Sequence, residues 1–179
     1  MFRWTLLPCL LVCAAVHAAP TTVAEDAVER LLTDKGLIER LGGQLEHVRH
    51  TAGEKASELV VNAMGFLGVP YKRGGTSAET GFDCSGFTRY VIQVSVGALL
   101  PRRAEDQATQ AGLRVVAFAE LKPGDLLFFR TRDHSYSHVG IYVGEGVFIH
   151  SPSSGGFVRM ESLRLAYWTE RFTGARRVG

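Results

Sequence analysis

Cys84 is followed in the chain by His138 and His150, each within a stretch of strand-forming residues. A thiol, an imidazole that can take its proton and a third group that orients the imidazole are the parts of a cysteine nucleophile set. Gly81-Phe82-Asp83-Cys84-Ser85-Gly86-Phe87 reads as a turn feeding a helix, with Phe87, Tyr90, Val91 and Val94 as its apolar stripe. A thiol at a helix N-terminus faces unpaired amides and the positive end of the helix dipole, so a lowered thiol pKa is expected. His138 enters a strand after Ser135-Tyr136-Ser137, and Gly144-Glu145-Gly146 bends the chain into Val147 to His150. The two histidines are equally spaced from Gly144, so a simple register makes them cross-strand neighbours on one face, expected to be shared with Cys84. One Cys and two His can also bind zinc, but no close ligand pair such as Cys-x-x-Cys accompanies them, and neither metal nor other cofactor is expected.

The elements that must hold these groups follow from periodicity and turn chemistry. Ala56 to Leu67 carries Leu59, Val60, Ala63, Met64 and Leu67 at helical spacing and stops at Gly68, with Pro70 beyond. A turn-rich loop runs from Thr76 to Gly81, and a second short helix is expected from Arg103 to Ala111. Lys122-Pro123-Gly124-Asp125 turns the chain into Leu126–Phe129, followed by strands at His138–Val143, Val147–His150, Val158–Met160 and Phe172–Val178. Helices first and then a meander of short strands define an α+β domain with an antiparallel sheet.

Composition narrows the class. With 179 residues, 46% hydrophobic and 21% charged content, the chain suits one soluble domain with an appendage. A net charge of +2 leaves no dense basic face for nucleic acid. The late cluster Arg171, Arg176 and Arg177 reads as a solvated chain end.

Arg3 precedes an almost wholly apolar run from Thr5 to Ala15, and Val16-His17-Ala18 supplies small residues for a cut before Ala19. That is the form of a secretory signal peptide over residues 1–18, with periplasmic or extracellular delivery. The run falls short of the ~20 apolar residues that span a bilayer, so no transmembrane helix is expected. Neither Cys9 nor Cys13 follows the Leu-small-small pattern of a lipoprotein, so outer-membrane anchoring is the lesser alternative. Removing the leader takes two of the three cysteines and leaves Cys84 as a lone thiol in an oxidising compartment. Residues 19–53 form a helical extension, expected as two short helices broken near Gly36 and Gly42-Gly43, and residues 54–179 form the main domain.

Four stretches then carry a family resemblance: Val69-Pro70-Tyr71-Lys72-Arg73-Gly74-Gly75, Phe82-Asp83-Cys84-Ser85-Gly86-Phe87, Leu121 to Phe129, and Ser137-His138-Val139-Gly140-Ile141-Tyr142-Val143-Gly144. In this order and separation, from about Met64 to Arg177, the chain resembles the NlpC family of bacterial cell-wall cysteine peptidases. The resemblance implies a minimal papain-like fold, with N-terminal helices packed on a small antiparallel β-sheet or barrel. It implies Cys84 as nucleophile, His138 as general base and His150 as the residue that orients it. Tyr71 matches the hydroxyl beside the oxyanion, Asp83 and Ser85 match positions contacting the free amine of the substrate peptide, and Arg102 matches a structural Leu-Pro-Arg motif. The implied substrates are peptidoglycan stem peptides, cut at D-glutamyl-diaminopimelate bonds or D-alanyl-diaminopimelate crosslinks; the motifs name no protein regulator. Arg73 stands where an aromatic residue is more usual, which leaves the pocket edge open. A thiol acyltransferase or amidase acting on another acyl substrate, and a non-catalytic wall-binding module, are the alternatives.

Overall fold

A computed structural model describes residues 35–109, 112–154 and 156–178. The expected signal peptide and the start of the extension lie outside the described residues. The chain divides into two units, Met1–Glu46 and His47–Gly179. Helix α1 (Lys35–Met64) has 30 residues and runs through Gly42 and Gly43 without the break expected there. Gly42 and Gly43 do not break it: each costs only about 1 kcal/mol against alanine, and strong helix formers flank them. The expected boundary between residues 53 and 54 falls inside this helix. Among the described residues no helix is long and apolar enough to cross a membrane.

Helix α2 (Cys84–Val96) begins at the thiol. Its start is set by Asp83, extended at φ −93° and ψ 177°, whose carboxylate accepts the Gly86 amide at 2.8 Å as an N-cap. Its end is set by Gly97 at φ 73°, whose amide donates to the Gln93 carbonyl. Helix α3 (Ala104–Thr109) follows, and helix α4 (Ala166–Thr169) is a single turn that turn chemistry did not announce.

A short hairpin, β1 (Thr76–Ser77) with β2 (Gly81–Phe82), precedes the thiol. The main sheet comprises β3 (Leu113–Val116), β4 (Leu126–Phe129), β5 (His138–Gly144), β6 (Val147–His150), β7 (Arg159–Ser162) and β8 (Phe172–Val178). Its order is β3-β8-β4-β5-β6-β7, and every neighbouring pair is antiparallel. The sheet stays open, with β3 and β7 as edges, so the barrel form of the expectation does not arise. Strand β3, like the β1–β2 hairpin and α4, was missed by periodicity.

All four residues of β4 are buried, because each face of the sheet has its own core. On one face Leu126, Phe128, Val139, Ile141 and Ile149 pack against Phe87, Val91 and Ile92 of α2. On the other, Leu127, Phe129, Phe148 and Ala175 pack with Trp168 of α4. Strand alternation assigns each residue to its face. Of the three late arginines, Arg176 and Arg177 are structural rather than solvated: Arg177 forks onto the fully buried Asp125 at 2.6 and 2.7 Å, and Arg176 donates to the Ala108 carbonyl at 2.7 Å.

Candidate active site

The thiol end of the site is built on polar pairing. Asp83 does more than cap α2. Arg102 grips its carboxylate with two bonds, at 3.0 and 2.6 Å, and the Gly74 amide donates to it at 3.0 Å. The same guanidinium donates to Ser85 Oγ at 3.0 Å. Buried Gln107 ties the first turn of α2 to the segment before α3, donating to the Ser85 and Pro101 carbonyls at 3.0 and 2.8 Å while accepting from Thr88 Oγ1 at 2.8 Å. Gly86 lets the loop approach: a Cβ there would sit 2.0 Å from the Gly75 carbonyl oxygen. Asp83, Cys84, Ser85, Arg102, Tyr136 and Ser137 line a cleft of about 380 Å³.

The imidazole end is built on packing. His138 Nε2 lies 2.7 Å from His150 Nδ1, with the rings edge to face at 5.0 Å and 81°. His150 has no exposed surface and His138 has 7%. Trp168 stacks on His138 at 5.6 Å and meets His150 edge-on at 5.1 Å, while Phe129 and Phe148 close the sides.

The two histidines share a face, but they are not direct partners. Ile141 pairs with Ile149 and Tyr142 with Phe148, and an irregularity between Tyr142 and Gly144 displaces the bend by one residue. Continuing that register sets His150 opposite Gly140, two residues from His138. Gly140 makes the diagonal reach possible, since a Cβ there would meet His150 Cβ at 3.1 Å and the Phe148 ring at 2.8 Å. Nor do the histidines share the face packed by α2; they lie on the opposite one, with Trp168. Cys84 packs against the core cluster that contains Val139, and Ser137 lines the cleft with it, so both chain neighbours of His138 lie toward the thiol.

The expected depression of the Cys84 pKa is reversed. Burial pushes the thiol up and the Asp83 carboxylate adds to it, against the amides of Val139, Ser85 and Cys84 itself. The helix end that was to favour a thiolate already holds a carboxylate. Burial holds His138 well below the usual imidazole value, and His150 reinforces this. Burial and then the Arg159 charge bring His150 down to about 3. Tyr71, pushed up by burial and by the negative charges it would share with Cys84 and Asp83, keeps its hydroxyl proton beside the thiol.

Sequence reasoning missed Gln107, Trp168 and Glu161. The Glu161 carboxylate accepts from Arg159 Nε at 2.6 Å and from Trp168 Nε1, and its Oε1 stands 3.5 Å from His150 Nε2. The only available signal was the alternation Arg159-Met160-Glu161 beside the strand of His150; nothing in the sequence paired those strands. Among the described residues no group of three His, Cys, Asp or Glu side chains could hold a metal ion.

The model of the NlpC/P60 family matches residues 68–177. Murein DD-endopeptidase MepH of Escherichia coli is 36% identical over 171 residues, which cover 90% of this chain and 63% of that protein. Gamma-DL-glutamyl hydrolase of Bacillus subtilis is 42% identical over 120 residues, 66% of this chain and 28% of that one. The chain thus spans less than two thirds of the length of either. The peptidoglycan hydrolase RipB of Mycobacterium tuberculosis superposes with a TM-score of 0.61 at 29% identity, covering 94% of each chain. An NlpC/P60 family protein from Bacillus cereus gives 0.62 at 37% identity, over 69% of this chain and 40% of that one.

Proposed function

The chain belongs to the NlpC/P60 family, and from that premise we propose that it is a secreted peptidoglycan hydrolase, a cysteine endopeptidase acting on stem peptides in the periplasm. The observation that carries the reading is the buried 2.7 Å contact between His138 Nε2 and His150 Nδ1 beside a partly exposed thiol. Because Nε2 of His138 is occupied by His150, Nδ1 is the nitrogen left to serve Cys84. As Sγ attacks the amide carbonyl, Nδ1 takes the thiol proton, and the carbonyl oxygen gathers charge. The Tyr71 hydroxyl and the amides at the start of α2 are the donors for that oxygen. His138 then gives its proton to the leaving amine, and water, activated by the same nitrogen, releases the acyl group and restores the thiol.

The cleft offers Asp83 and Ser85 to the peptide, but both are already bonded to Arg102. Their role is a preset polar wall rather than freely swinging contacts. Similarity to MepH over 90% of the chain favours D-alanyl-diaminopimelate crosslinks over D-glutamyl-diaminopimelate bonds. Digestion of purified sacculi and defined muropeptides, with products identified by mass and Cys84→Ala as control, tests the reading. The expected result is Cys84-dependent loss of crosslinked dimers. A folded, mature protein with no Cys84-dependent product would refute hydrolysis, and transfer of the acyl group to an added amine in place of water would support the acyltransferase alternative.

A further inference from the structure

We propose that Glu161 is the outermost positioning residue of this site: it fixes the tautomer of His150 and, through it, the tautomer of His138. The inference rests on the proposed peptidase reading and extends it by one residue on β7.

His150 uses Nδ1 to meet His138, which leaves Nε2 fully buried and without a hydrogen-bond partner in geometry. Glu161 Oε1 stands 3.5 Å away. That carboxylate is not free to move off. Arg159 holds Oε1 through Nε at 2.6 Å, and the Trp168 indole N–H donates to Oε2. Trp168 also stacks on His138, so one side chain ties the carboxylate to the base it serves at a distance.

Proton counting gives the consequence. A neutral imidazole carries one N–H. A carboxylate beside Nε2 of His150 favours the proton on that nitrogen, since the other tautomer would aim a lone pair at a negative charge in a dry site. Nδ1 of His150 must then accept, so the proton in the 2.7 Å contact belongs to His138 Nε2. His138 Nδ1 is left with its lone pair toward Cys84, as proton abstraction requires. Once His138 takes the thiol proton, the negative charge of Glu161 favours the cation, while Arg159, Arg132 and a charged His150 oppose it.

The tautomers are read directly in the unmodified full-length protein by long-range proton–nitrogen NMR of the histidine rings, which needs no substrate. Protons on Nε2 of both His138 and His150 are expected; a proton on Nδ1 of His150 overturns the proposal whatever the protein cleaves. Glu161→Gln then offers one oxygen to three donors, Arg159, Trp168 and His150. It is expected to lower kcat on a crosslinked muropeptide about tenfold, the scale of one coupled side-chain pair, with KM unchanged. The same substitution in a His150→Ala background should cost less than about twofold, because its route to His138 is gone. Equal losses in both backgrounds, or an unchanged kcat, would overturn it. If the unmodified protein cleaves no muropeptide, the proposed function fails while the ring tautomers still decide the role of Glu161.

Discussion

The thiol and its base are held by two regions that solve the positioning problem in opposite ways. Around Cys84 the scaffold is polar and cross-bonded: Asp83 accepts from Gly86, Gly74 and Arg102, and the same arginine reaches Ser85. Around His138 and His150 it is aromatic and dry, with Phe129, Phe148 and Trp168 against the rings and one hydrogen bond between them. Polar pairing fixes direction but brings a carboxylate to the nucleophile. Packing fixes direction and removes the water that would stabilise an imidazolium. Both regions therefore favour neutral partners at rest, with the Cys84 thiol pushed up and His138 pushed down. The proton is expected to leave sulfur during attack on the substrate rather than beforehand.

The largest test of the comparison is kinetic. His138→Ala should lower kcat on a crosslinked muropeptide by about 10² to 10⁴, the worth of a positioned general base. His150→Ala should cost less, because a neutral imidazole orients its neighbour yet stabilises the cation less than a carboxylate would. Equal or reversed losses on the same muropeptide would show that the dry region does more than orient.

Next in size is the response of stability to acid, to which the dry region contributes through its buried histidines. His150 is held near 3 in the folded protein, against an ordinary value of 6.5. Its unfolded form binds a proton that the folded form refuses, so stability is full above about pH 6.5 and is lost as the pH falls toward 3. The slope from this one residue approaches ~1.4 kcal/mol per pH unit within that window. Urea unfolding from pH 7 to pH 4 should show the loss, and His150→Gln should reduce it, leaving the part that burial of His138 contributes. A slope that survives the substitution unchanged would place the titration elsewhere.

Much of this division could be read before any fold was known, and the unread part has one cause. The turn before Cys84, the strands at Leu126–Phe129 and His138–Val143, and the bend at Gly144-Glu145-Gly146 follow from local chemistry, and local chemistry is what spacing records. The common face of His138 and His150 followed from parity, which a shift of two residues preserves. What spacing could not record is pairing between distant segments. Strand β3 exists because Leu113–Val116 lies along β8, some sixty residues on. The grip of Arg102 on Asp83 spans a separation of 19 residues, and the burial that pushes the thiol up likewise comes from packing between distant segments. Glu161 lies beside His150 only because β7 pairs with β6. Helix propensity failed in the other direction at Gly42 and Gly43, where a weak penalty was given the force of a stop.

Breaking the polar region should affect stability less. Arg102→Ala leaves the Asp83 carboxylate capping α2 without its cation. Buried pairs cost ~3–5 kcal/mol when one partner is removed, but this arginine is 34% exposed and solvent screens it, so a loss of ~1–2 kcal/mol is expected in urea unfolding. A loss below about 0.5 kcal/mol would mean that the amides of Gly74 and Gly86 hold Asp83 unaided.

The smallest effect bears most directly on the resting state of the thiol. If burial and Asp83 keep Cys84 protonated, its alkylation by iodoacetamide should climb steadily with pH and level off only above the ordinary thiol value of about 9. A thiolate–imidazolium pair would instead show a plateau reaching down through neutral pH. Asp83→Asn removes the charge that opposes the thiolate while keeping the shape of the cap, so the midpoint should move down, but only by the smaller part of the shift because burial is the larger cause. Retention of the midpoint in Asp83→Asn would assign the shift to burial alone and leave the carboxylate as a structural cap. A plateau at neutral pH in the unmodified protein would overturn the neutral pair and restore the helix end as the dominant influence on Cys84.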